Sequence, residues 1–268
     1  MVQIYMDFNN SSSHEMGNVI DNRMVNHSIA PNLIIKPKKD FAQISREVYE
    51  LANSDNPISK YVTRSLEVIE KSINLYGIDG LGISFNGGKD CVVLLYLFTA
   101  VIYKHFRKSE KKPKIQAVYI RTPNSFVEVE EFVNECILRY ELDIIIIEGP
   151  MKQALQKYHE CRPNVKAILI GTRRIDPHGK NLSEFIPTDP DWPPFMRIHP
   201  ILDWNYPLVW KFLLTLNVPY CILYDKGYTS IGSIDNTCPN PDLRNPAQSC
   251  GYDPAWKLVD ENRERCGR

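Results

Sequence analysis

The sequence predicts an α/β protein with a doubly wound, mostly parallel sheet. Between Gly80 and Gly171, four short apolar runs alternate with three helical patterns, and each run is continuous rather than alternating. Strands separated by helices form βαβ units, and continuous apolar runs are typical of parallel strands buried on both faces. Of the 268 residues, 43% are hydrophobic, which is ordinary for a globular chain that buries a core.

Residues 1–40 precede this pattern and are predicted to form a poorly ordered N-terminal extension. They contain six Asn and a Ser-Ser-Ser run, and they lack a sustained apolar periodicity. The one element that the pattern allows there is a short strand at Asn32–Lys36.

Residues 41–268 are predicted to form one domain, and its first part, residues 41–171, contains helices and the α/β core. From Phe41 to Tyr76, apolar residues recur every three or four positions, which predicts two amphipathic helices. Gly77 follows the second helix at the position of a C-terminal cap. The core is predicted to contain strands at 81–85, 115–121, 142–147 and 165–171, and helices at 90–106, 127–140 and 151–161.

The remaining residues, 172–268, are rich in proline. Twelve of the 19 prolines lie from Pro177 to Pro254, which predicts turns and extended segments with one helix at Pro207–Leu216. Large side chains crowd this stretch, and they are either a packed cover over the sheet or a wall for a flat aromatic ligand. They are Trp192, Phe195, Met196, Trp204, Tyr206 and Trp210.

Charge and cysteine content exclude several classes of protein. Lys plus Arg and Asp plus Glu both number 32, so the net charge predicts neither a nucleic acid nor a membrane partner. No apolar run reaches the roughly 20 residues of a bilayer span, and the N-terminus lacks a signal-peptide layout, so we expect a soluble cytoplasmic protein. The seven cysteines contain no C-x-x-C pair, which argues against a zinc site and a disulfide framework.

The string SFNGGKDC, residues 84–91, lies between the first predicted core strand and a long apolar helix. Two adjacent glycines allow a sharp turn, and the helix N-terminus carries unsatisfied N–H groups and a partial positive charge. This arrangement is typical of a phosphate-binding site at the carboxyl edge of a parallel sheet. The spacing is neither a Walker A motif nor a GxGxxG fingerprint.

This string resembles the pyrophosphate loop of ATPases that split ATP between its α and β phosphates, and FNGGKDC resembles the eukaryotic FAD synthases, or FMN adenylyltransferases. Asn86 and Cys91 stand where the wider superfamily has Ser and Ser or Thr. The strings GTRRIDP, PTD with FMRIHPILDW, LYDKGYTSIGS and ENRERCGR extend the resemblance over about 190 residues. The resemblance implies a pyrophosphate-loop, adenine nucleotide alpha hydrolase-like fold, similar to phosphoadenosine-phosphosulfate reductases.

The candidate ATP-binding residues lie in two loops that each follow a predicted strand. Because both loops lie at one sheet edge, Arg173 and Arg174 can reach phosphates held by the glycine loop. The set is Ser84, Phe85, Asn86, Gly87, Gly88, Lys89, Asp90, Gly171, Thr172, Arg173 and Arg174. We expect Mg²⁺ to bind mainly through the phosphates, with Asp90 as the one candidate protein ligand.

The resemblance places the flavin in the Pro-rich region and implies that Asp189 contacts the isoalloxazine. It also implies that the terminal arginines Arg265 and Arg268 lie in the active site. The candidate flavin-binding residues are Asp176, Asp189, Trp192, Met196, Arg197, Trp204, Arg265 and Arg268. Asn86, Asp90, Asp189, Arg265 and Arg268 are the candidate catalytic residues.

The implied reaction converts ATP and FMN to FAD and pyrophosphate. We expect the protein to be a monomer without a second fused domain. The FMN phosphate is largely ionised at neutral pH, so a general base is not needed, although the neighbouring His178 and His199 remain unassigned. The alternative enzyme is a sulfonucleotide reductase that uses Cys266 near the C-terminus. A non-catalytic nucleotide-binding module is a third hypothesis.

Overall fold

The computed structural model describes residues 19–21, 39–110 and 112–268. One seven-stranded sheet forms its centre, with strand order β1-β4-β3-β2-β5-β7-β6. The strands are β1 (Val19–Asp21), β2 (Leu81–Ser84), β3 (Ile115–Arg121), β4 (Leu142–Glu148), β5 (Ala167–Leu169), β6 (Phe185–Pro187) and β7 (Met196–Ile198). The helices are α1 (Phe41–Ala52), α2 (Ser59–Tyr76), α3 (Lys89–Phe106), α4 (Val127–Tyr140), α5 (Met151–Cys161) and α6 (Tyr206–Thr215).

Strands β2 to β5 and β7 are parallel, which confirms the predicted fold class. The chain proceeds from β2 outward to β3 and β4 and then returns to the other side of β2 to form β5. The carboxyl ends of β2 and β5 therefore flank the point where the strand order reverses. Ligands of doubly wound sheets bind in the crevice at this point.

The elements predicted between residues 41 and 171 agree closely with the structure. The α2 helix ends at Gly77, whose φ of 67° is a conformation that glycine adopts without steric cost. The α3 helix is buried along almost its whole length, since α1, α2 and α6 pack against it. This explains why its sequence is apolar around the full circumference rather than along one stripe.

The structure adds strands that the sequence pattern did not predict. β6 and β7 form an antiparallel pair within the Pro-rich region, and β7 extends the parallel sheet beside β5. β1 lies within the extension that was expected to be poorly ordered. It pairs with β4, so Val19–Asp21 depart from that expectation. Residues 1–18 and 22–38, including the strand considered at Asn32–Lys36, lie outside the described residues.

Two hydrophobic clusters cover the two faces of the sheet. The larger contains side chains from α1 to α4 and α6, and the smaller contains Ala154 and Tyr158 of α5 packed on β3, β4 and β5. Among the described residues, no helix combines the length and the apolar character needed to cross a bilayer. All seven cysteines are free thiols.

Candidate active site

The glycine loop connects β2 to α3 and is shaped by its own side chains. Gly87 has a φ of 76°, and a Cβ there would lie 3.1 Å from Val133 of α4. The Asn86 Oδ1 accepts hydrogen bonds from the Gly88 N–H at 3.0 Å and from the Cys91 thiol at 2.8 Å. Asn86 therefore fixes the turn in the way that an Asx-turn does.

Some amides at the start of α3 already have protein partners. The Gly88 N–H donates to Asn86, and the Lys89 N–H donates to the Tyr224 hydroxyl at 2.9 Å. An anion at this loop would therefore rely on the α3 dipole and on neighbouring cations as well as on main-chain donors. The Phe85 side chain is fully buried in the core, so only its main chain belongs to the loop.

The second loop, after β5, packs directly on the first turn of α3. A Cβ on Gly171 would lie 3.1 Å from the Cys91 nitrogen and 3.2 Å from the Asp90 carbonyl carbon. Both neighbours are backbone atoms, so a larger residue would force the loop away from the helix. Glycine at this position thus brings the GTRR string to the glycine loop, and Thr172 is buried behind it.

Beneath these loops lies a buried charge cluster of two cations and three carboxylates, all less than 10% exposed. Its members are Lys89, Asp90, Arg173, Asp176 and Glu264. The Glu264 carboxylate accepts from the Lys89 Nζ at 2.5 Å and from Arg173 at 2.8 and 2.9 Å. Arg173 also contacts Asp90 at 3.2 Å and Asp176 at 2.9 Å.

The electrostatics keep Asp90 and Arg173 ionised at neutral pH. Burial alone would raise the pKa of Asp90, but the charges of Arg173 and Lys89 hold that pKa well below its usual value. Burial likewise opposes the charged form of Arg173, but Asp90, Glu264 and Asp176 raise its pKa. Each charge of the cluster contacts a group of opposite sign, which is the condition under which buried charges are stable.

This cluster changes the roles expected for three predicted residues. The guanidinium of Arg173 contacts three buried carboxylates through its Nη2 and Nε atoms, so much of its charge is compensated within the protein. Asp176 neutralises Arg173 and is buried, which does not support the flavin contact expected for it. Asp90 is ion-paired with both cations, so its carboxylate does not present a ready magnesium ligand.

Arg174 also departs from the expectation. Its guanidinium donates to Asp203 at 2.7 Å and to the carbonyls of Lys180 and Leu182 on an exposed surface. These contacts hold the loop 180–203 rather than an anion at the glycine loop. Two consecutive arginines after a strand point in different directions, and the sequence could not distinguish them.

Four of the candidate flavin residues gather in one hairpin. Asp189 and Trp192 lie in the loop that joins β6 to β7, and Met196 and Arg197 lie on β7. The Arg197 guanidinium lies 3.8 Å from the Asp189 carboxylate and donates to the Pro187 carbonyl at 2.9 Å. The hairpin stands two strands from β2, about 10 Å across the sheet.

The loop of this hairpin precedes β7, so it leaves the sheet at the amino ends of β5 and β7 and packs along α5. Asp191 accepts from the Lys152 Nζ at 2.7 Å, and Lys152 lies in the first turn of α5. Because α5 begins just after the carboxyl end of β4, this contact directs the loop back along α5 toward the start of that helix. Sequence reasoning missed Lys152, since only the fold places α5 beside the hairpin.

Trp204 does not belong to this group, contrary to the expectation. Its side chain is 2% exposed, its indole N–H donates to the Ser65 hydroxyl at 3.0 Å, and its ring packs edge-on against Phe212. It is a core residue that joins α2 to α6. The aromatic crowding therefore reflects both predicted alternatives, a packed core at Trp204 and an accessible surface at Trp192.

The segment Glu261–Arg268 lies against residues 229–240 and approaches the glycine loop through Glu264. Burial, followed by the charge of Arg265, lowers the pKa of Arg268, and the Tyr224 hydroxyl raises it. The Arg268 N–H donates to the Arg265 carbonyl at 2.9 Å, so the two arginines belong to one turn, and the Arg268 guanidinium contacts the Ser230 hydroxyl at 3.5 Å. Two like charges held together attract a polyanion.

Sequence reasoning missed three residues that organise this site. Glu264 and Tyr224 occur in strings used for the resemblance, but both lie far along the chain from Lys89, whose contact with Glu264 spans 175 positions. Asn240, which is 0% exposed, received no role. The burial of Asn240 explains its role, since a fully buried amide must satisfy its donors internally, but burial is seen only in the fold.

Comparison with known proteins shows which family this chain is similar to. The model of the phosphoadenosine phosphosulfate reductase domain matches residues 80–160 and 148–239. The chain is 46% identical over 206 residues to a probable FAD synthase of Schizosaccharomyces pombe, which covers 76% of this chain and 77% of that protein. The chain belongs to the FAD synthase family.

Other members of the FAD synthase family differ in the share of their length that is matched. A probable FAD synthase of Caenorhabditis elegans is 38% identical over 205 residues, which are 75% of this chain but 39% of that protein. The FMN adenylyltransferase of Candida glabrata, solved in complex with FMN and the ATP analogue AMPCPP, superposes with a TM-score of 0.76 at 27% identity. That superposition covers 85% of this chain and 98% of the solved one.

Proposed function

We propose that this protein is an FAD synthase that transfers the adenylyl group of ATP to FMN, giving FAD and pyrophosphate. The observation that carries the proposal is the glycine loop joined, through the Lys89–Glu264 contact, to the segment that carries the arginine pair Arg265 and Arg268, in a chain of the FAD synthase family. The solved FMN adenylyltransferases of Candida glabrata hold FMN with an ATP analogue in one structure and FAD with inorganic pyrophosphate in another.

The triphosphate of ATP would bind where Asn86, Gly87 and Gly88 lead into α3. The dipole of this 18-residue helix and the charges of Arg265 and Arg268 favour a polyanion at this point. Asp90, Lys89 and Arg173 would lie buried beneath the loop and support its conformation through their ion pairs. These ion pairs leave the arginine pair as the cations offered to the phosphates.

Magnesium would be held mainly by the phosphate oxygens. Within residues 39–110 and 112–268, no group of three His, Cys, Asp or Glu side chains forms a metal site. The donor chemistry thus fits an ion that arrives with the nucleotide better than one held by a protein cage. Such an ion shields the charge that builds on the leaving pyrophosphate.

The transfer needs positioning rather than a general base. An oxygen of the FMN phosphate attacks the α phosphorus of ATP, the bond from that phosphorus to the bridging oxygen breaks, and pyrophosphate leaves with its electrons. The attacking phosphate has a second pKa near 6, so it is largely dianionic at neutral pH. His199 is buried, and burial and the charge of Arg197 lower its pKa to about 4, so it is a weak proton acceptor at neutral pH.

The flavin would lie along the β6–β7 hairpin. Trp192 offers a half-buried ring for stacking, Met196 an apolar contact, and Asp189 and Arg197 polar groups for the ring edge. The Asp191–Lys152 contact directs the hairpin loop back along α5, and in the proposed complex the FMN phosphate would extend from there to the glycine loop. We further propose that the enzyme acts in the cytoplasm as a monomer on these small molecules, without nucleic acid.

The direct test is an assay of the purified protein with ATP, MgCl₂ and FMN. Chromatography is expected to detect FAD and pyrophosphate in equal amounts. Release of AMP and pyrophosphate without a flavin adduct would count against the proposal.

The sulfonucleotide reductase alternative is separated by Cys266→Ala. Cys266 is exposed and lies outside the segments matched by the reductase-domain model, which end at residue 239. FAD synthesis is expected to survive this substitution. A wild-type protein that reduces a sulfonucleotide with a thiol donor, and a Cys266→Ala variant that does not, would favour the alternative.

A further inference from the structure

The arginine pair is held in place through main-chain atoms of its own segment. The Thr229 hydroxyl donates to the Glu264 carbonyl at 2.6 Å, and the Asn240 amide donates to the Arg263 carbonyl at 2.8 Å. The Cys238 N–H donates to the Gly267 carbonyl at 2.7 Å. Three successive contacts therefore anchor the chain on both sides of Arg265.

Thr229 and Asn240 form one fully directed network. The second N–H of the Asn240 amide donates to the Thr229 hydroxyl at 3.0 Å, and the Asn240 Oδ1 accepts from the Asp242 N–H at 3.0 Å. Thr229 is 1% exposed and Asn240 is 0% exposed. The Thr229 hydroxyl accepts one hydrogen bond and donates another, so its orientation is defined. A satisfied buried network of this kind fixes a single geometry.

The side chain of Glu264 provides the opposite attachment. Its carboxylate contacts Lys89 at the start of α3 and Arg173 after β5, while its carbonyl is held by Thr229. Glu264 is therefore fixed to the glycine loop at one end and to the 229–240 segment at the other. Arg265 is the next residue along the chain, so these contacts fix the main-chain position from which its side chain extends.

We propose that Thr229, Asn240 and Glu264 are positioning residues for adenylyl transfer, which set the placement of Arg265 and Arg268 over the glycine loop. This inference rests on the proposed function. Charge stabilisation in the transition state depends on groups held in place before the reaction. A shift of about 1 Å in such a group can lower a rate by about 100-fold. The effect should thus appear in kcat more than in the KM for ATP.

The test compares Thr229→Val with Thr99→Val, because both substitutions remove a buried threonine hydroxyl that donates to a carbonyl. Thr99 is 0% exposed, and its hydroxyl donates to Leu95 within the body of α3. Thr229→Val is expected to lower kcat by about 10- to 100-fold at a nearly unchanged KM for ATP. Thr99→Val is expected to leave both constants unchanged, and Thr229→Ser is expected to restore kcat.

Thermal unfolding of each variant separates misfolding from misplacement. If Thr229→Val does not fold, Glu264→Gln, which keeps the acceptor but loses the charge, is expected to lower kcat in the same way. A folded Thr229→Val or Glu264→Gln with wild-type kcat would overturn the positioning role alone, provided that the wild-type protein makes FAD. Absence of FAD from the wild-type reaction would overturn the proposed function and this inference together.

Discussion

The Cys91 thiol donates a hydrogen bond to the Asn86 side-chain oxygen across 2.8 Å, and both residues belong to the turn that leads into α3. The same sulfur lies 3.1 Å from the Gly88 carbonyl. Cys91 therefore closes the glycine loop from the inside, at the position where the wider superfamily has a hydroxyl. This contact gives the thiol a structural role and has consequences for its reactivity.

Burial raises the pKa of the Cys91 thiol to about 11. Because the thiolate is the reactive form, Cys91 stays unreactive at pH 8. Iodoacetamide at pH 8 is expected to modify the four exposed thiols and to spare Cys91, Cys136 and Cys221 until the protein is denatured; mass spectrometry of the peptides gives the pattern. The exposed thiols are Cys161, Cys238, Cys250 and Cys266. Alkylation of Cys91 at the rate of these four would show that the loop is open.

Substitution of Cys91 tests the contact itself. Cys91→Ser keeps a donor for the Asn86 oxygen and is expected to retain nearly full activity. Cys91→Ala loses the hydrogen bond, which costs about 1 kcal/mol, and loosens the loop. We expect kcat/KM for ATP to fall for the alanine variant only, measured by FAD formation. Equal activity of the two variants would mean that the contact does not shape the loop.

Gly171→Ala is expected to lower both stability and activity. The new Cβ would lie 3.1 Å from the Cys91 nitrogen, and backbone cannot rotate away as a side chain can. Overpacking of this kind costs about 1–3 kcal/mol and would separate the β5 loop from α3.

Gly77→Ala is the control, because its cost comes from a φ of 67° in open space and not from a close approach to another element. It should lose stability by about 1 kcal/mol yet keep wild-type kcat. The measurements are urea unfolding and steady-state kinetics. A Gly171→Ala enzyme with unchanged kcat would contradict the importance of this close approach.

His199 predicts a dependence of stability on pH. Its pKa is about 4 in the folded protein and about 6.5 when unfolded, so between these values the unfolded chain binds a proton that the folded chain does not. Stability is therefore full above about pH 7 and falls as the pH drops toward 4, by up to about 3 kcal/mol. His199→Leu, which cannot titrate, should show a smaller loss of urea midpoint from pH 7.5 to pH 5. Equal losses in both proteins would refute the assignment.

Two tryptophans of the Pro-rich region are expected to behave differently. Trp204→Phe replaces the buried indole with a smaller ring and removes its hydrogen bond to Ser65, so we expect a lower melting temperature with an unchanged KM for FMN. Trp192→Ala removes the half-buried ring of the hairpin, so we expect a raised KM for FMN with little loss of stability. Flavin fluorescence titration measures binding independently of turnover. A Trp204→Phe variant with normal stability and weak FMN binding would reverse these roles.

The sequence predicted most of the sheet and the helices because their periodicity is long and strong. α4 and α5 have the predicted bounds, and β3 does too. In contrast, β6 and β7 have three residues each, and they are strands only because β7 finds β5 as a neighbour. Such pairing is a tertiary property, which local pattern does not contain.

The residues of the candidate site also divide into those that local sequence predicts and those that only the fold brings together. The glycine loop was predicted because its chemistry is local, as Gly87 and Asn86 act within a single turn. The partners of Arg173 could not be predicted, since Glu264 is 91 positions away and both charges are buried. An arginine after a buried strand suggests an anion site, but here the protein supplies the anion. Only the folded arrangement distinguishes these two outcomes.

The β6–β7 hairpin has a consequence for how this scaffold can change. β6 is the last strand of the sheet and pairs with β7 alone, so its loop can gain or lose residues without disturbing β2, β5 or α3. In the proposed reaction, recognition of the acceptor and activation of the nucleotide would therefore take place in separable parts of the protein. An engineered hairpin could admit a different phosphorylated acceptor while the donor machinery remained as it is.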